Sequence, residues 1–204
     1  FRDIAKKEEY KLPASVEDKK VSHWKIRPRS GKPTESTVQY KIGSKWTNWK
    51  HFKGEGQFEG PSTITTLHNS SSKKYKFRGA LRSVQPSKNS KKRITVNVLS
   101  IDDYTKGVVA REMPSSWATE ALKSQSVAAR TYGVRSIHSG GAYDICDTTS
   151  CQVYGGVSSE TSKTNKVVDS TKGRILTYKG KPAFTQFSSS SGGWTNNGSQ
   201  PYLK

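Results

Sequence analysis

Residues 101–117 read IDDYTKGVVAREMPSSW, and at this stretch the chain changes character. Asp102 or Asp103 offers an N-cap, and Tyr104, Val108 and Val109 recur on one helical face. Pro114 stops the run, because its ring cannot continue a helix and it restricts Met113 before it. A second helix is expected to begin near Ser115 or Ser116, with Glu120 complementing its positive N-terminal end. It runs on as EALKSQSVAARTYGVRS, where Ala121, Gln125, Ala128 and Tyr132 fall on one stripe whose small members permit close approach to a neighbour.

On either side of this helical stretch the texture is different. From Val21 to about Val98, runs such as VSHWKIRP, TVQYKI, SKWTNW, STITTL and KRITVNVL carry β-branched or aromatic residues at near-alternate positions. They are broken by PRSGKP, KGEGQFEGP, HNSSSKK and QPSKNSKK, all rich in turn residues. Residues 1–20 are mostly charged and read as a frayed or docked segment with one short helix at most. After Gly140, Gly- and Ser-rich loops alternate with short strands, and Lys179-Gly180 in GRILTYKGKPAFTQF is a turn between two of them. The expected class is α+β, with mixed helices and short strands around a cleft and a small β-rich region in front. The expected division is 1–20, 21–75 and 76–204.

Hydrophobic residues make up 31% of the 204, so the core is modest. A formal charge of +19 points to a polyanionic partner: nucleic acid, an anionic wall polymer or a membrane face. An arginine-rich helix, zinc-finger spacing and an RNP-like aromatic pattern are all missing, so nucleic acid is not the expected partner. No apolar run reaches the length of a membrane-spanning helix. The chain opens at Phe1 without an initiator Met, which reads as a mature or trimmed piece of a longer product.

Position alone makes Glu112 a residue at a helix end, which is a poor place for a carboxylate electrostatically. The motifs around it supply a second reading. YTKGVVAREMPSSW, EALKSQSVAARTY, YDICDTTSCQVYGG, TKGRILTYKGKPA and SSSSGGWT, followed by QPYLK, stand in the order found in the SpoIID/LytB family, and residues 76–204 resemble it. That family comprises the stage II sporulation protein D group and the amidase enhancers. A GHGVGMSQ-like segment, carried by many of its members, is not in this chain.

The resemblance implies a lytic transglycosylase that cuts peptidoglycan glycan strands stripped of stem peptides by a cell-wall amidase, with Glu112 of the EMP motif as the catalytic acid. Glycoside cleavage ordinarily takes two carboxylates. One suffices here, since the muramic acid's own C6 hydroxyl attacks C1 while the carboxylic acid protonates the leaving oxygen and then accepts the C6 proton. No cofactor is required. Such an acid must be neutral near pH 7, which asks for apolar surroundings; Met113 and Trp117 are the candidates, and Arg111 is expected to face solvent. The setting implied is extracytoplasmic, at the wall or anchored to a membrane through a part outside this sequence. A purely glycan-binding role in recruiting an amidase is the other reading.

Gln125 and Tyr132, seven residues apart, share a helical face that can line the cleft, or Tyr132 is core. Arg130 is turned away from both, as a substrate contact or a structural ion-pair partner. Ser189, Ser190, Ser191, Gly192 and Gly193 flank the cleft by resemblance, with hydroxyls and exposed N–H groups suited to a saccharide. Cys146 and Cys151 are close enough for a disulfide, as suits an exported protein. The alternatives are a structural zinc, which some relatives bind at this place and which His138 would complete here, and free thiols. His23, His51 and His68 lack ligand spacing and read as surface residues. Trp24, Trp46 and Trp49 are read as the core of the β-rich region ahead of a glycan platform.

Overall fold

Alternation of apolar with polar residues sets the architecture of the first half, and in the computed structural model it produces small antiparallel sheets. The structure describes residues 1–60, 64–68, 73–87, 90–138 and 140–204. Two units result, residues 1–99 with 140–143 and residues 100–139 with 144–204. The first unit therefore keeps the strands of residues 76–98, and the boundary falls at Leu99/Ser100 rather than near residue 75. The class is α+β.

In the first unit, short strands β1 (Arg2–Asp3), β2 (Glu8–Glu9), β3 (Ser15–Val16) and β4 (Lys19–Lys20) precede the long β5 (His23–Arg29), β6 (Lys32–Ile42) and β7 (Lys45–Lys53). Then come β8 (Gly56–Phe58), β9 (Ile64–His68), β10 (Lys74–Arg78), β11 (Ala80–Val84) and β12 (Ile94–Val98). One sheet runs β12-β11-β8-β1-β2 and another β5-β6-β7, with β9-β10 and β3-β4 as separate pairs. Phe1, Val38 and Phe52 form the buried centre, with Trp24, Trp49, Tyr10 and Ile26 packed around them. Residues 1–20 are thus docked rather than frayed: Phe1 meets Phe52 edge-on at 5.1 Å, and no helix forms there.

Trp24 and Trp49 take the core role expected of them. Trp46 does not: it lies on the opposite face of its sheet, with the Lys25 ammonium 3.9 Å above its ring. His51 is exposed and its Nδ1 pairs with the Thr37 hydroxyl. Residues 61–63, 69–72, 88–89 and 139 lie outside the described residues, as does the side chain of His68. Parts of STITTL, HNSSSKK and QPSKNSKK fall among them.

The second unit is built on α1 (Ile101–Glu112), α2 (Thr119–Ser136) and α3 (Ser162–Ser170), with a 3-10 turn at Gly156–Ser159 and a hairpin of β13 (Thr177–Tyr178) and β14 (Lys181–Pro182). The N-cap of α1 is Ser100, whose hydroxyl accepts the Asp103 N–H, rather than Asp102 or Asp103. Asp102 is engaged elsewhere, by Arg130. Helix α2 begins at Thr119 rather than Ser115 or Ser116, because the Trp117 N–H donates to the Pro114 carbonyl and closes a turn over 114–117 first. Its buried face runs through Leu122, Gln125, Ser126, Ala129 and Gly133. Leu122, the largest apolar residue of the first turns, draws the core stripe toward itself, so Ala121, Ala128 and Tyr132 sit half-buried beside it. At Gly133 a Cβ would stand 2.9 Å from Ile101 and 3.0 Å from Tyr104, so α1 and α2 meet where only glycine fits.

Helix α3 stands among the loops and short strands expected after Gly140, where no helix was expected. Its signal is a capping box between Thr161 and Thr164, and only Val167 and Val168 bury apolar surface. The Lys179-Gly180 turn forms as read, with φ of 48° and 74° at the two residues, the left-handed pair that a two-residue hairpin needs.

Candidate active site around Glu112

Glu112 is the last residue of α1, half-buried, with Arg111 beside it turned to solvent. Its carboxyl is not left to water alone. The Val153 N–H donates to Glu112 Oε1 at 2.6 Å, and among the described residues no hydrogen bond occupies Oε2. An N–H can be received only by an oxygen lone pair, so Oε1 is the acceptor and Oε2 the oxygen free to carry a proton. Met113 is half-buried, whereas Trp117 is 51% exposed, so the expected apolar wall from Trp117 is an open one.

The segment that delivers the Val153 amide is laid along α1 by several independent contacts. Tyr154 stacks on Tyr104 with ring centres 5.5 Å apart. The Tyr104 hydroxyl donates to Gln152 Oε1 at 2.9 Å. Burial holds the Tyr104 phenol above its ordinary range, with Tyr132, Tyr154 and Glu112 adding to it, so the hydroxyl stays a donor. The Gly155 N–H and the Ser159 hydroxyl both donate to the Gly107 carbonyl. Gly107 is the seat of this arrangement: a Cβ there would stand 2.3 Å from the Tyr154 ring.

Replacing Gly107 with Ala is expected to lift Tyr154 and carry the Val153 amide away from Glu112. An overpacked contact of this kind costs about 1–3 kcal/mol, read as a lower midpoint in denaturant. A displacement near 1 Å at the carboxyl costs about 100-fold in any reaction that it catalyses.

Upstream, Cys146 and Cys151 are bonded to each other. The loop they close is tightened by the Cys151 N–H on the Thr148 carbonyl and the Tyr154 N–H on the Asp147 carbonyl. With both sulfurs in one covalent bond, neither is a thiolate available to the zinc set drawn with His138. The His138 ring contacts the Ser136 carbonyl at 2.9 Å and stands 4.0 Å from Asp144. Loop closure on this scale stabilises by about 2 kcal/mol on the chain-entropy account. The Cys146→Ser/Cys151→Ser protein is expected to unfold at correspondingly lower denaturant, and the oxidised wild type to match it once reduced.

The remaining candidates are scattered in role. Gln125 is 7% exposed and among the described residues its Nε2 has no hydrogen-bond partner, a state that Gln152 Nε2 shares. Arg130 is 1% exposed and spent internally, on Asp102 and on the carbonyls of Val168 and Arg174. It is a structural tie, not a glycan contact. Tyr132 packs against Phe184, ring centres 5.9 Å apart. Ser189, Ser190, Ser191, Gly192 and Gly193 are exposed. Their loop closes on itself, with the Gly192 and Gly193 N–H groups donating to the Ser190 and Ser191 hydroxyls, and none of its bonds reaches Glu112. Residue-by-residue reading missed Gly107 and Gln152. The signal for the first was a glycine inside a predicted helix, which marks a close approach.

Residues 89–178 match the family described as Stage II sporulation protein, SpoIID. The chain is 47% identical over 104 residues to the amidase enhancer of Bacillus subtilis strain 168, covering 48% of this chain and 14% of that protein. It is 39% identical over 134 residues to stage II sporulation protein D of the same organism, and 35% over 133 residues to that of Bacillus amyloliquefaciens. The last two alignments each take in 54% of this chain and 39% of the relative. This chain therefore spans well under half the length of these relatives. The family match stops short of the 189–193 loop.

Proposed function

We propose that this chain, whose residues 89–178 belong to the SpoIID family, is a peptidoglycan lytic transglycosylase with Glu112 as its single acid and base. The family and the amidase-enhancer relative support a role at the bacterial cell wall. The finer reading rests on one observation, the Val153 amide holding Glu112 Oε1 and leaving Oε2 open.

In this reading Oε2 gives its proton to the oxygen bridging MurNAc C1 to GlcNAc, and the C1–O bond breaks as the GlcNAc leaves with a new hydroxyl. The C6 hydroxyl of the same MurNAc closes on C1, and Oε2, now a carboxylate oxygen, takes the C6 proton. The glycan ends in a 1,6-anhydro ring, no water is consumed, and the carboxyl returns to its starting form. The Val153 N–H keeps the carboxyl in one orientation through both transfers, which is the protein's part in positioning. The reaction calls for no metal. Strands already stripped of peptide fit the setting, with an amidase as partner and an extracytoplasmic location. Anionic wall polymers or a membrane surface would be further contacts of the cationic chain.

The test is mass spectrometry of amidase-treated glycan after incubation with the protein. Fragments carrying 1,6-anhydroMurNAc support the reading, and fragments with reducing ends overturn it in favour of hydrolysis. Intact glycan that nevertheless retains the protein would favour the second reading, an amidase-stimulating glycan binder. The amidase-enhancer relative is the observation that recommends that alternative.

A further inference from the structure

Charge is divided unevenly along the chain. Residues 1–99 hold 23 Lys and Arg against 8 Asp and Glu, a net +15, while residues 100–204 hold 12 against 8, a net +4. The unit without Glu112 is thus the cationic one. Its three-stranded sheet β5-β6-β7 gives Trp24, Ile26, Val38 and Phe52 to the core on one face. Lys25 and Arg27 alternate with those residues along β5 and so stand on the other face. Lys41 joins them; burial first, and then the like charges of Arg27 and Lys41, hold the Lys25 ammonium below its ordinary range. At the β5–β6 turn, Arg27, Arg29, Lys32 and Lys91 line a hollow of about 400 Å³. Between residues 23 and 53 Glu35 is the sole acidic residue, and Arg29 and Lys32 both bridge to it.

We propose that this face binds a linear polyol-phosphate chain, with phosphodiesters along Lys25 and Arg27 and into the hollow at the turn. Two residues of a strand contain six backbone bonds and advance about 7 Å, and a three-carbon polyol phosphate also has six bonds from one phosphorus to the next. The cations of β5 and the anions of such a polymer therefore share a repeat. A nucleic-acid strand has the same repeat, but it binds single-strand surfaces by stacking bases on open aromatic rings. The aromatic ring on this face, Trp46, is covered by the Lys25 ammonium at 3.9 Å. Charge is on offer here without a stacking platform, which suits a polymer that has no bases. The proposal is independent of the glycan-cleaving reading.

The full chain is titrated calorimetrically with poly(glycerol phosphate) at low salt and again at about 0.15 M salt, where the screening length falls to about 8 Å. Binding that weakens between the two is expected. The Arg27→Gln/Lys41→Gln/Lys91→Gln protein is expected to bind about tenfold more weakly, taking exposed ion pairs at a few tenths to 1 kcal/mol each. Three matched changes in the other unit, Lys123→Gln/Lys166→Gln/Lys172→Gln, should leave affinity within about twofold. Equal weakening by both sets would overturn the site in favour of diffuse attraction, as would no binding at all. An oligothymidylate bound as tightly as the polyol phosphate, or vesicles with anionic lipid bound more tightly, would overturn the assigned ligand. Should the triple variant lose its thermal midpoint, Arg27→Gln alone, expected to weaken binding about twofold, carries the comparison. Glu112→Gln should bind as wild type does, so failure of the catalytic reading leaves this result standing.

Discussion

If the proposed reaction holds, replacing Glu112 with Gln is expected to lower release of 1,6-anhydro fragments by about 10²–10⁴-fold, the usual contribution of a positioned acid–base group. The amide is close in shape to the acid, and its own Oε1 can still accept the Val153 N–H that now holds the carboxylate. What stands in place of Oε2 is then an NH₂ group, which neither surrenders an acidic proton nor takes one from the C6 hydroxyl. Fold and glycan retention should therefore survive while the chemical step is lost. Glu112→Asp provides a sharper comparison. It keeps the acid but shortens the side chain by one methylene, so the oxygen either loses Val153 or fails to reach the glycosidic bond. Activity recovered by Asp to near wild-type level would contradict a role that depends on this geometry. The rate of anhydro-product formation, followed by mass spectrometry alongside pull-down on insoluble glycan, separates these outcomes.

How much of this was legible beforehand follows from where the information lies in the chain. The stop at Pro114 and the Lys179-Gly180 turn are consequences of local backbone sterics, and both appear where the sequence puts them. The cores of the two units are less local. Leu122 and Gly133 define the buried face of α2 only through what packs against them, and spacing alone placed the stripe beside its observed position. Helix α3 escaped because SKTNKVVDS has two adjacent valines and no longer periodicity, so its helicity is decided by the Thr161 cap and by tertiary packing. The environment of Glu112 was the least legible feature. Its partner is a backbone N–H 41 residues away, and an amide carries no side-chain identity for a sequence to display. Cys146 and Cys151 offered several chemistries at one spacing, and only their placement joins the sulfurs to each other. Arg130 could be assigned to the inside only once its carbonyl partners were in view.

Arg130→Met is expected to cost the second unit about 3–5 kcal/mol, the penalty for breaking a buried ion pair from one side. The guanidinium donates from Nε to Asp102 Oδ1 at 2.8 Å, from one Nη to the Val168 carbonyl at 3.0 Å and from the other to the Arg174 carbonyl at 3.2 Å. It thereby joins α1, α2 and the C-terminal end of α3, where its charge also meets the negative end of the helix. Methionine fills the volume but leaves the Asp102 carboxylate and the Arg174 carbonyl without this donor, while the Val168 carbonyl keeps the Thr171 N–H and hydroxyl. Against a total stability of about 5–15 kcal/mol, a loss of this size empties a large part of the margin. Lysine should recover little, because one ammonium cannot span acceptors that a planar fork reaches in three directions. Pairing Arg130→Met with Asp102→Asn should cost less than the two changes added, since the second removes the charge that the first strands. Denaturant unfolding of the single and double variants measures all of this. A direct glycan contact predicts the opposite pattern for Arg130→Met, unaltered stability with lost cleavage, and that result would remove Arg130 from the interior role its geometry assigns.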